Sequence, residues 1–163
     1  MTARGELALL DDLLEDSYSR RPWQGPSLRG SLRGVTARQA TWRPVRGGHS
    51  IWDIVLHAAY WKYAVRRLLT GEKRGAFPRK GSNWFSSPAA ATEREWKELL
   101  ALLGEEHRRL AKAAGHLSPR DLSRKPKGSR KIANLLYGVA SHDVYHTGQI
   151  QLLKRLWRSR ARR

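Results

Sequence analysis

A chain of 163 residues with 40% hydrophobic residues has the material for one domain with a real core, and its net charge of +18 sets it apart from an average soluble protein. No run approaches the ~20 consecutive apolar residues of a membrane span, and acids interrupt residues 1–20 too early for a signal peptide, so the expectation is a cytoplasmic protein with no membrane partner. The absence of cysteine excludes disulfides, iron–sulfur clusters and a protein thiolate nucleophile, which leaves histidine and carboxylate as the metal ligands on offer.

Leu7, Leu10, Leu14 and Tyr18 fall at helical spacing and predict a first amphipathic helix over 3–20. Residues 21–34 are punctuated by Pro and Gly, with room for a helical turn over 27–32. Thr36 and Gln39 read as a capping box for another short piece, ended by Arg43-Pro44 and Gly47-Gly48. Ser50 with Asp53 starts a strong helix over 51–70, stopped by Gly71, whose inward stripe is Ile54, His57, Ala58, Trp61, Val65 and Leu68. Residues 72–91 are polar and aperiodic and read as a long crossover loop, so the helices on either side need not be antiparallel neighbours. Thr92 and Glu95 open a third helix of about twenty residues along Trp96, Leu99, Leu100, Leu103, His107, Leu110 and Ala114. Ser118-Pro119 begins a short turn, a basic loop covers 124–127, and Ser129 is placed to cap a fourth helix over 131–157. Four long helices and no strand run predict an all-α bundle, one domain over 1–163 with a basic tail at 158–163.

The fourth helix carries the seam Ile132, Leu135, Val139, His142, His146, Gln149, Leu153 and Leu156. Two imidazoles four residues apart have Cβ atoms roughly 6 Å from each other on one face. On this helix alone two readings stand level: a ligand pair, or core imidazoles each with its own hydrogen-bond partner. An unmet polar atom in an apolar seam costs ~1–3 kcal/mol, and His57 on the facing helix can join the pair without strain. The triad is therefore His57, His142 and His146, and the lack of a fourth protein ligand leaves an open position. His107, also inward, is the rival, assigned to the bundle edge or to supporting the ligands; His49 and His116 are assigned structural roles.

The stretches HSIWDIVLHAAYWKYAVRRLLTGE and SHDVYHTGQIQLLKRL, with ATWRP between helices one and two, resemble the signature segments of the DinB-like superfamily, which includes the YfiT-type metal-dependent hydrolases. The resemblance implies a four-helix bundle of up-down-down-up topology that forms homodimers and binds a divalent ion, often nickel or zinc, with His57, His142 and His146 at the ligand positions. Its members include thiol-dependent S-transferases and a relative of a maleylpyruvate isomerase. The expectation is a metal-dependent enzyme of the small-thiol S-transferase or hydrolase type that uses the open coordination position. With no cysteine in the protein, a thiol comes from a small-molecule cosubstrate. Gln149, one turn past His146, and Asp53, one turn before His57, are the candidates to assist; Asp53 also reads as a helix-capping acid. Tyr60, Trp61 and Tyr145 are candidates to line the pocket. The alternative is a non-enzymatic module with a structural ion, whose bases at 120–131 and 154–163 engage nucleic acid or another polyanion. Those bases show no aromatic interleaving along the chain, which favours a solvated surface.

Overall fold

The computed structural model describes residues 2–20, 22–75, 77–85 and 87–160. They form helices α1 (Ala3–Tyr18), α2 (Leu28–Ser31), α3 (Ala37–Thr41), α4 (Ile51–Thr70), α5 (Glu93–Gly115) and α6 (Ile132–Ser159), with short 3-10 turns at Pro119–Ser123 and Pro126–Gly128. No strand occurs among the described residues. Local chemistry sets the helix ends. Ser50 with Asp53 and Thr92 with Glu95 each form a reciprocal capping box, and Gly71 terminates α4 at φ 77°, a conformation that costs glycine nothing. Two expected caps differ. The Thr36 hydroxyl accepts from the Gln39 N–H, yet no Gln39 side-chain bond completes a box. Ser129 does not cap α6, which begins after Lys131 with no side-chain cap; the loop carbonyl of Arg124 instead receives the Ile132 N–H at 3.0 Å.

α4 packs against α5 and α6, and α1 against α6 and α5, while α2 and α3 lie against α6 and α4 respectively. One apolar cluster gathers around Ile51, Val55, Trp96, Leu99 and Ile150, and another around Leu14, Leu110, Ile132 and Leu136. α4 is buried nearly all round, but Trp61, expected inside, is exposed and Leu68 is half-buried. The expected seam of α6 holds at Ile132, Val139, His146 and Leu153 and is one residue early at its other positions. Leu136, Val139, Ala140, Asp143, His146, Thr147, Ile150 and Leu153 are buried, whereas Leu135, His142 and Gln149 are half-buried and Leu156 is exposed. That offset puts a carboxylate at the centre of the seam and His142 at its margin.

One oxygen of the carboxylate is matched, while Asp143 Oδ1 is buried with no hydrogen-bond partner among the described residues. Lys62 of α4 and Asp143 of α6 are completely buried and paired through Nζ and Oδ2, and the ammonium also sits 4.9 Å from the centre of the Tyr18 ring. Burial raises the Asp143 carboxyl while the Lys62 ammonium pulls it back down. Nearby, Arg66 is paired with Glu72 and Glu106. At the end of α6 the bases do meet aromatics that are distant in sequence. Trp42 and Trp157 pack edge to face at 5.6 Å, with Arg38 and Arg160 against the Trp157 ring. Residues 161–163 of the basic tail lie outside the described residues. No helix of the described residues is long and apolar enough to cross a membrane.

Candidate metal centre

α4 and α6 bring the three imidazoles together. His57 and His146 are buried and His142 half-buried, and the Nε2 of His142 stands 2.9 Å from that of His57 and 3.0 Å from that of His146. The other ring nitrogens fix the protons. His57 Nδ1–H donates to the backbone carbonyl of Asn83 at 2.8 Å, and His146 Nδ1–H donates to Gln149 Oε1 at 2.7 Å. A neutral imidazole carries one N–H, so both of those Nε2 atoms present bare lone pairs. Burial is the first cause that keeps the rings neutral, lowering His57 and taking His142 to about 3 and His146 to about 4. For the latter two the neighbouring imidazoles reinforce that shift.

The long loop, whose reading as a bare crossover gave no hint of this, closes over the cluster. Asn83, at φ 61°, turns its carbonyl toward His57, and its side-chain oxygen accepts from Trp61 Nε1 at 3.0 Å. Trp84 stacks flat on His57 at 3.8 Å and on His49 at 3.6 Å, so an indole lies between two imidazoles. A model of the DinB superfamily matches residues 23–150, a span that holds all three histidines, Gln149 and this loop. The chain belongs to the DinB superfamily. No curated protein and no solved structure matches it.

The donor set of this DinB-superfamily chain fits a cation. A proton on His142 Nε2 can bridge to one of its two neighbours and leaves the other lone pair facing nitrogen. A single ion would be held by all three residues, since an ion, unlike one proton, can accept several lone pairs at once. The three residues are also a group whose ligating atoms lie within 4.8 Å of one another. With His142 Nε2 used this way its Nδ1 carries the hydrogen, and that atom is buried with no hydrogen-bond partner among the described residues.

The remaining candidates separate clearly. Asp53 caps α4 through the Ser50 N–H and is gripped by Arg43 through both guanidinium nitrogens; burial pushes its carboxyl up, but Ser87, the Ser50 N–H and Arg43 together hold it below the ordinary carboxylate value. It faces His49 at 3.9 Å rather than the triad. His107 lies away from the cluster, stacked on Tyr18 and bonded to Glu15. His116 is the exposed C-cap of α5. Tyr145 packs against His146 at 5.1 Å between centroids and accepts from Gln149 Nε2 at 3.0 Å, which extends the chain of bonds that orients His146. Tyr60 packs instead on Trp61, Phe77 and Phe85.

Proposed function

We propose that His57, His142 and His146 hold a divalent ion, nickel or zinc, and that the protein is a metal-dependent enzyme of the small-thiol S-transferase or hydrolase type. The observation that carries this reading is the proton arrangement: the Nδ1–H groups of His57 and His146 are committed outward to Asn83 and Gln149, which aims two lone pairs at the His142 nitrogen. A divalent ion bound there supplies Lewis acidity and lowers the pKa of a water or thiol in its open position. The chain's own residues prepare that position. Gln149 and Asn83 hold the tautomers, burial keeps the imidazoles unprotonated at neutral pH, and Trp84 and Trp61 shield one side from bulk water. A nucleophilic thiol has to be a cosubstrate, since the chain has no cysteine. We read the chain as one domain whose long helices run up-down-down-up; the connection over residues 71–92 before α5 is long enough to return along the bundle. The exposed Tyr137, Tyr145 and Leu152 on α6 suit a homodimer contact.

The test is metal analysis of protein purified without an affinity tag, followed by assays with small thiols, electrophiles and hydrolysable esters. Wild type should carry nickel or zinc at about one ion per chain, His142→Ala and His146→Ala none, and turnover should follow metal content. Equal metal uptake by wild type and both variants would overturn the assignment. One observation favours a second, compatible role: the cluster of Arg38, Trp42, Trp157 and Arg160 offers a cationic and aromatic surface to a polyanion. Binding to random single-stranded DNA that weakens steeply with salt would support it.

A further inference from the structure

Away from the histidine cluster, a cleft of about 600 Å³ opens between α1, α2 and α5. Its apolar wall is Leu32, Leu100 and Leu103, and Tyr18 and Arg108 each bring a polar atom to the space beside Gly104. Gly104 lies in mid-helix, where glycine costs ~1 kcal/mol relative to alanine. It is not among the residues with positive φ, so what it contributes is room. A Cβ there would stand 3.4 Å from the Tyr18 hydroxyl and 3.5 Å from Arg108 Nη1, so both atoms border the space it leaves.

Tyr18 is 7% exposed, and its hydroxyl, which bonds to no protein group among the described residues, is not one of the fully buried unpartnered atoms: it opens onto the cleft. A phenol O–H that lines a cleft in this way is free to donate to a ligand acceptor there. Its ring is held by His107, stacked at 3.7 Å, and His107 is in turn fixed by its bond to Glu15 at 3.1 Å. Arg29 of α2 stands at the lip, exposed and without an acidic partner among the described residues, and its charge acts on the Tyr18 phenol together with that of Arg108. Burial holds that phenol at about 12, so it remains a hydrogen-bond donor at any physiological pH. Among the described residues Glu15 is the one carboxylate lining the cleft, already occupied by His107 and Ser19; Glu105 takes Arg108 Nη2 at 2.6 Å and leaves Nη1 as the atom that faces the Gly104 space.

We propose that this cleft binds a small organic carboxylate with an apolar body, the carboxylate taken by the Tyr18 hydroxyl, Arg108 and Arg29, and the body by Leu32, Leu100 and Leu103. Planar guanidinium groups suit a carboxylate, and the mixed lining and volume are those of a small-molecule site. The assignment is independent of the metal centre: none of these residues belongs to the histidine cluster or its supporting bonds.

The experiment is isothermal titration of the protein as purified with phenylacetate, and with phenylacetamide as the uncharged isostere. Saturable binding at one site is expected, with a Kd of about 1 mM or tighter for a ligand of this size. The amide should bind at least about tenfold more weakly, and Tyr18→Phe and Arg29→Gln should each weaken phenylacetate by roughly tenfold, the worth of a hydrogen bond to a charged group. Gly104→Leu, which fills the cleft from a helix position that favours leucine over glycine, should abolish binding while circular dichroism stays that of wild type. No saturable binding overturns the proposal. So does binding that survives undiminished in Tyr18→Phe, Arg29→Gln and Gly104→Leu, which would place the carboxylate elsewhere, the metal centre included. Arg29 is exposed, so its variant keeps the test decisive even where a core substitution unfolds the chain.

Discussion

Adjacent residues on α6 belong to two polar clusters of opposite character. Asp143 meets Lys62 in the buried centre of the bundle, charge against charge through one carboxylate oxygen, while its Oδ1 has no hydrogen-bond partner among the described residues. His142, one residue earlier, joins His57 and His146 at the bundle margin, where nitrogen faces nitrogen and a divalent ion is the proposed occupant. The first arrangement specifies how α4 and α6 meet, since opposite charges answer each other across the seam. The second sets three like donors together with no counter-charge among them, and that separates a candidate site from a structural contact.

Breaking the two clusters should therefore have different consequences. Lys62→Met leaves the Asp143 carboxylate buried without its partner and should cost ~3–5 kcal/mol in denaturant unfolding, most of it recovered in Lys62→Met/Asp143→Leu. His146→Ala, measured in the metal-free protein, should cost only about 1 kcal/mol and keep the helical circular dichroism, because the apolar clusters hold the bundle and a bound ion adds by mass action. Reversed magnitudes would make the imidazoles the structural cluster.

A sharper comparison comes from the residues behind the ligands. Gln149→Leu removes the acceptor that fixes the His146 tautomer and should weaken metal binding about 10- to 100-fold. Asp53→Asn disturbs a helix cap and its Arg43 pair, so metal affinity should stay at the wild-type level while the melting temperature falls.

Acid should act on the histidines through the unfolded chain. His142 and His107 are held to about 3 and His146 to about 4 in the fold, below the ordinary value near 6.5, so below that value the unfolded chain binds protons that the native state refuses. Stability of the metal-free protein should be full above pH 6.5 and decline as pH falls toward about 4. A denaturation midpoint unchanged between pH 7 and pH 5 would mean that the rings titrate normally in the fold.

The smallest effect is expected at the basic end. Truncation after Trp157 removes charges about three helical turns, or ~18 Å, beyond His146, where exposed charges are screened over a Debye length of about 8 Å. Metal affinity at physiological salt should not change. Salt-sensitive polyanion binding should fall, since Arg160 leaves the Trp157 ring.

The long helices were legible because their signals are local. Apolar spacing and the Ser50, Gly71 and Thr92 ends depend on residues a turn apart, and the structure places those ends accordingly. The three histidines were legible for the same reason, each read from its own helix. Asp143 was not: an acid within an apolar seam makes sense only once Lys62, 81 residues away, is known to face it, and without that pair the alternate seam positions, His142 among them, were placed one residue too early. Asn83 and Trp84 lie in an aperiodic loop, where no repeat shows which atoms turn inward. Arg43 looked like part of a turn because its partner Asp53 already had a sufficient role as a cap.

The bond from His57 to residue 83 ends on a main-chain carbonyl rather than on a side chain. The instruction it carries is thus written in the path of the loop, not in the name of the residue. Residue 83 has to accept a left-handed conformation, which asparagine, aspartate and glycine do at low cost, and its side chain acts elsewhere, on Trp61. Shifting the register between α4 and α5 by one position would hand the ring a different carbonyl or none, so for the imidazole the length of the loop counts for more than the side chain at position 83.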